Sequence, residues 1–158
     1  MSGMSNFLEN KFIDWFFRAQ AIGITGASAA AGTGPATLYV GLFTVAPSDT
    51  GGGTEVTGNN YARASVTSSM EASGWAGTQS AGSTTASSGA GATTSNNGTI
   101  TFPTPSGLWG TVVAFGIFDE ASEGNLLWFG DITPNKTINS GDAITFPAGS
   151  LTVTVDNG

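Results

Sequence analysis

The chain has 158 residues, which is the size of one domain, and it carries 4 basic and 11 acidic residues for a net charge of −7. It contains no cysteine and no histidine, which excludes disulfide scaffolds, cysteine nucleophiles, zinc fingers and Ser-His-Asp triads. So few basic residues cannot form a positive stripe for nucleic acid, and an anionic membrane surface would repel the chain. We therefore expect neither a nucleic acid nor a membrane as a partner.

The N-terminal segment does not resemble a signal peptide, because acids alternate with bases and no cationic run leads it. No apolar stretch approaches the 18 residues of a transmembrane helix. We expect the chain to be made and folded in a cytoplasm.

Residues 6–22 are predicted to form one amphipathic helix, with Asn6 as the N-cap and Glu9 in the first turn. Its apolar face is wider than the stripe of about 100° that a surface helix needs. We prefer the interpretation that the helix contacts a sheet and a second subunit or docking partner; the alternative is that it packs only on its own sheet. The broad face comprises Leu8, Phe12, Trp15, Phe16, Ala19 and Ile22, flanked by Ile13 and Phe17, and the narrow polar face comprises Asn10, Lys11, Asp14 and Arg18.

The aromatic side chain that we most expect at the surface is Trp75, which lies between small residues. It would be either an interface anchor or a local plug. The predicted interface residues are Leu8, Phe12, Trp15, Phe16, Phe17 and Trp75.

Short strands separated by Gly and Pro turns dominate the rest of the chain. They predict a mainly β fold, an antiparallel β-sandwich or jelly-roll-like domain with one N-terminal amphipathic α-helix. The predicted organisation is a helix at 1–22, a linker at 23–35 and a β-sandwich domain at 36–158. The predicted strands cover residues 36–46, 59–69, 100–102, 108–118, 126–132, 142–146 and 151–155.

A low-complexity segment covers residues 77–99, where 20 of 23 positions are Gly, Ala, Ser or Thr. It has no large apolar side chain whose burial would offset the conformational entropy that ordering costs. Two alternatives stay open, a flexible surface loop and an extended arm held by a neighbouring subunit. Both predict that deleting part of 80–92 barely changes the stability of the isolated domain.

No set of residues predicts catalysis, a cofactor or a metal ion. Asp119, Glu120 and Glu123 form the one dense group of carboxylates, but they lack the alternating oxygen ligands of a calcium loop. We interpret them as a solvated hairpin tip. The glycine runs at 32–34 and 51–53 are not followed by the Lys-Ser/Thr and helix of a phosphate loop. We therefore expect the protein not to be an enzyme.

Several long stretches resemble a family of small tailed-bacteriophage proteins that are usually labelled tail fibre proteins. These stretches are NFLENKFIDWFFR (6–18), LYVGLFTVAPSD (38–49), GGGTEVTGNNYAR (51–63), residues 93–120, and NLLWFGDIT with the following residues to 157. The resemblance implies a structural protein of the virion that is assembled in the bacterial cytoplasm, and it implies no catalytic residues.

Among the places such a protein could occupy, we prefer the outer surface of the capsid. There it would be a decoration or cement protein that forms a homo-oligomer and contacts the major capsid protein. The alternative is a small tail or tail-fibre attachment component, and a third possibility is a glycan-binding module.

Overall fold

The computed structural model describes residues 4–24 and 34–155. The fold is mainly β, with antiparallel sheets and one N-terminal helix, which confirms the fold class predicted from the sequence. The helix is α1 (Asn6–Phe16), and the strands are β1 (Thr37–Val45), β2 (Thr54–Glu55), β3 (Ala64–Thr67), β4 (Thr93–Ser95), β5 (Ile100–Thr101), β6 (Gly110–Phe118), β7 (Leu126–Ile138), β8 (Thr145–Phe146) and β9 (Thr152–Thr154).

The largest sheet has five strands in the order β2-β1-β6-β7, with β3 also paired to β1. β1 and β6 form its centre in antiparallel register, with Gly41 opposite Gly116 and Phe43 opposite Ala114. Both strands are apolar on both faces, as a covered central strand requires. The other two sheets have two strands each, β4 with β9 and β5 with β8.

The chain divides into two compact units. The first unit comprises 1–37, 67–99 and 146–158, and the second comprises 38–66 and 100–145. The organisation predicted from the sequence, 1–22, 23–35 and 36–158, stays a prediction. Most of its linker, residues 25–33, lies outside the described residues.

The helix is shorter than the sequence predicts. Its N-cap is Ser5, whose hydroxyl accepts the N–H of Leu8, and not Asn6. It ends at Phe16 instead of residue 22, and Ala19 has a left-handed φ of 52° that is incompatible with a continuing helix. The predicted end was wrong because a run of apolar and good helix-forming residues carries no local stop signal before Gly23.

The buried residues of this N-terminal segment include two members of the polar face, Asp14 and Arg18. The others are Glu9, Ile13 and Phe17. The expectation that Trp75 is exposed was also wrong, because its side chain is 0% exposed and its ring centroid lies 5.0 Å from that of Phe17. The burial of Trp75 therefore supports the role of a local plug over that of an interface anchor. Because Trp75 lies between small residues, the local sequence has no apolar pattern that would predict its burial.

Candidate functional site

A buried ion pair in the helical segment of the first unit is hydrogen-bonded to residues 77–91, which we call the strap. Arg18 has no exposed surface, and its guanidinium pairs with the carboxylate of Asp14 one helical turn earlier. The same guanidinium donates to the carbonyl oxygens of Trp75 at 3.1 Å and Thr85 at 2.6 Å. Removing one partner of such a buried ion pair strongly destabilises a protein, because it leaves the other charge buried without compensation.

The strap completes the pair from the other side. The backbone N–H and the hydroxyl of Ser87 donate to the Asp14 carboxylate at 2.9 and 2.6 Å. Closer to the start of the helix, Asn10 accepts from the Thr78 hydroxyl at 2.6 Å and donates to the Gly89 carbonyl at 2.9 Å. Polar groups of the helical segment therefore anchor the strap at both ends.

The strap thus differs from both alternatives raised for the low-complexity segment. Its partner is the helical segment of its own chain, which the sequence analysis had not considered for this role. Hydrogen bonds to Asn10, Asp14 and Arg18 supply the stabilisation that apolar burial does not. Removing residues 80–92 would take away the hydrogen bonds that Thr85 and Ser87 make to the ion pair, so we no longer expect such a deletion to leave stability unchanged.

A second arginine organises the second unit, in what we call the arginine cluster: Glu55, Tyr61, Arg63 and Phe118. Arg63 forms a bidentate pair with Glu55, at 2.8 Å from Nε and 2.7 Å from Nη2. Its guanidinium lies 3.3 Å from the centroid of the Phe118 ring. Stacking on an aromatic ring together with a bidentate carboxylate is the geometry that suits arginine and not lysine.

The arginine cluster also holds the turn between β6 and β7. Nη1 of Arg63 donates to the carbonyl oxygens of Glu120 at 2.9 Å and Glu123 at 2.7 Å. Within the turn, the side chain of Asp119 accepts from the backbone and the side chain of Asn125, and these bonds lower the pKa of the Asp119 carboxyl. The three acidic residues of the predicted hairpin tip thus lie in a turn fixed by hydrogen bonds.

Tyr61 connects the arginine cluster to β1. Its hydroxyl donates to Glu55 at 2.8 Å and accepts the backbone N–H of Leu42 at 2.9 Å. Burial is the main reason that the pKa of the Tyr61 hydroxyl is raised far above its usual value of about 10.

We expect this shift to appear as a pH dependence of stability. The unfolded chain ionises Tyr61 above pH about 10, whereas the folded chain keeps the proton, so the stabilisation is full below that pH and falls as pH rises through it. Urea denaturation between pH about 8 and about 11 should show a steeper fall for the wild type than for Tyr61→Phe. Tyr39→Phe leaves the Tyr61 hydroxyl in place and is the matched control. Equal pH slopes for the wild type and Tyr61→Phe would contradict this account.

A groove of about 640 Å³ adjoins the arginine cluster within the second unit. Its apolar lining includes Phe43, Phe118, Leu126 and Phe129, and its polar lining includes Ser48, Asp49, Glu55 and Asn125. Phe43 and Phe118 stack with ring centroids 6.1 Å apart. They lie over Gly41 and Gly116, where an added Cβ would come within 3.0 Å of a phenyl ring. The two glycines therefore leave room for the phenyl rings that line the groove. Of the two carboxylates in the lining, Glu55 is already paired with Arg63.

The structure places the predicted interface residues in two environments. Phe17 and Trp75 are in the core of the first unit and contact each other. Leu8, Phe12, Trp15 and Phe16 are partly exposed, and the Phe12 and Phe16 rings stack at 5.7 Å. The exposed Phe7 precedes them, at 58% exposure. An interface role for the partly exposed residues stays a prediction.

No helix among the described residues has the length and apolar character needed to cross a membrane. Across residues 3–154, the sequence matches the family described as "Podophage GP4 fiber I protein gp80". The chain belongs to this family. The match covers almost the whole chain and confirms the resemblance to phage tail fibre proteins. The protein is therefore a structural component of a phage virion. A search of curated proteins finds no significant match.

Proposed function

We propose that this protein is a small component of the tail-fibre apparatus, where it takes part in attachment to the host. The observation that carries the proposal is the family match, which includes α1 and every strand of both units. The description of that family refers to a fibre and not to the capsid. It therefore supports the tail alternative of the sequence analysis over the preferred capsid-decoration role.

The proposed role is structural, without catalysis or a cofactor, and its partners are other virion proteins. Both units are suited to serve as stiff building blocks, since each has a loop held by an arginine with several hydrogen bonds. The aromatic side chains of α1 that remain partly exposed offer an apolar contact to a neighbouring protein. A net charge of −7 keeps the remaining surface soluble and repels other acidic proteins.

Localisation on the particle distinguishes a tail-fibre component from a capsid protein. Antibodies against the purified protein, coupled to gold, should label the tail region of negatively stained virions and leave the shell unlabelled. Band densitometry should give a few to tens of copies per particle, whereas a decoration protein is present in hundreds. The major capsid protein in the same gel lane is the internal standard. Uniform labelling of the shell at high copy number would overturn the proposal in favour of capsid decoration.

A further inference from the structure

The groove of the second unit combines an apolar lining from β7 with a polar lining from the loop between β1 and β2. The apolar part comprises Leu126 and Leu127, which are partly exposed, and Phe129, which is 40% exposed. Ser48 and Asp49 of the loop contribute hydroxyl and carboxylate oxygens. The volume of about 640 Å³ lies within the range of about 300–1,000 Å³ that is usual for small-ligand sites.

The loop between β1 and β2 presents bare backbone and a free carboxylate to the groove. Two backbone hydrogen bonds between Ser48 and Gly51, at 3.1 and 2.8 Å, close its turn. The three glycines at 51–53 all have a positive φ, and an added Cβ at Gly51 or Gly52 would meet no atom within 4 Å. The backbone conformation therefore requires glycine there, and the lack of side chains lets a ligand approach the backbone closely. Asp49 is exposed, and its carboxylate has no hydrogen bond or ion pair with any described residue.

The charges of the lining select against anionic ligands. No lysine or arginine is among the described residues that line the groove. Glu55 is paired with Arg63, so the unpaired carboxylate of this lining is that of Asp49. A carboxylate accepts hydrogen bonds from hydroxyl groups and repels the carboxylate or phosphate of a ligand. The amide of Asn125 uses one N–H on Asp119 and has a second N–H and an oxygen for a ligand.

We propose that this groove binds a neutral saccharide, with a sugar ring packed on Phe129 and hydroxyl groups donating to Asp49. A sugar ring has an apolar face of C–H groups and a rim of hydroxyl groups, so it matches both parts of the lining. The exposed phenyl ring offers the flat apolar surface that such a face needs. A single exposed carboxylate attracts a cation only weakly in water, which makes a cationic ligand the poorer match.

That the saccharide belongs to the host surface rests on the proposed role in attachment, whereas binding by the purified protein does not. The first test therefore uses the purified protein and polysaccharide released from the surface of host cells. Anion exchange separates this polysaccharide into a neutral and an acidic fraction, and calorimetry measures the affinity for each. We expect the wild type to bind the neutral fraction and to bind the acidic fraction more weakly. Periodate, which cleaves the ring between neighbouring hydroxyl-bearing carbons, should abolish the binding.

Variants test whether the binding is in the groove. Asp49→Ala and Phe129→Ala should each weaken binding about tenfold, since the first removes an ionised hydrogen-bond acceptor and the second removes the stacking surface. The matched controls are Glu71→Ala, at an exposed acid of the first unit, and Leu108→Ala, at a side chain that is 61% exposed outside the groove. Both controls should bind within about twofold of the wild type. Circular dichroism checks that all variants are folded.

Three results would overturn the proposal. The first is a wild type that binds neither fraction, and the second is binding that survives periodate or favours the acidic fraction. The third is binding that either Asp49→Ala or Phe129→Ala leaves unchanged, which would place the ligand outside this groove. None of these results bears on where the protein lies on the particle, which the gold labelling reports separately.

Discussion

Replacing Arg18 by methionine should lower the free energy of unfolding by about 3–5 kcal/mol, one of the largest effects expected of any substitution in this chain. The substitution leaves the Asp14 carboxylate buried without its counter-ion. It also removes the donors to the carbonyl oxygens of Trp75 and Thr85, and the first of these two hydrogen bonds is buried. Urea denaturation followed by tryptophan fluorescence measures the loss.

Matched variants separate the buried charge from the hydrogen bonds. The double variant Asp14→Asn/Arg18→Met removes both charges and should be more stable than Arg18→Met alone. Ser87→Ala removes one hydrogen bond to Asp14 and should cost about 1.5–3 kcal/mol. Ser88→Ala, at the exposed neighbouring position, should cost little.

Hydrogen exchange provides the result specific to the strap. In Arg18→Met, amides at 77–91 should exchange faster, while those of β1 and β6 in the second unit keep their order of protection. A variant as stable as the wild type, with an unchanged strap, would contradict the role assigned to Arg18.

The central strands could be predicted from the sequence because their signal is local. The apolar runs at 36–46 and 108–118 correspond closely to β1 and β6, and the turn at 120–125 joins β6 to β7 as expected. The missed strands are two or three residues long. β2 follows a glycine run, and β4 lies inside the low-complexity segment, so neither has a periodic pattern.

The functional surfaces could not be predicted to the same extent, because they depend on contacts between distant residues. Arg18 meets Thr85 across 67 positions, and Arg63 meets Glu123 across 60. A helical pattern places Arg18 beside Asp14 but does not show that a serine-rich segment will cover the pair. Two of the chain's four basic residues thus hold loops in place, which a charge count alone does not reveal.

If the protein belongs to the tail fibres, deleting its gene should reduce phage attachment more than it affects head assembly or DNA packaging. Particles that lack it should assemble heads and package DNA, because no part of the proposed role concerns the shell. Their adsorption should fall, because a missing fibre component removes contacts on which attachment depends. Expression of the wild-type protein in the host during phage growth should restore adsorption and is the control for effects on neighbouring genes.

The most direct measurement is the adsorption rate of purified deletion particles relative to that of wild-type particles. The temperature at which each kind of particle releases its DNA is measured alongside. The tail-fibre role predicts adsorption at a small fraction of the wild-type rate and DNA release at an unchanged temperature. The opposite result, normal adsorption with DNA lost at a lower temperature, would contradict that role and support capsid decoration.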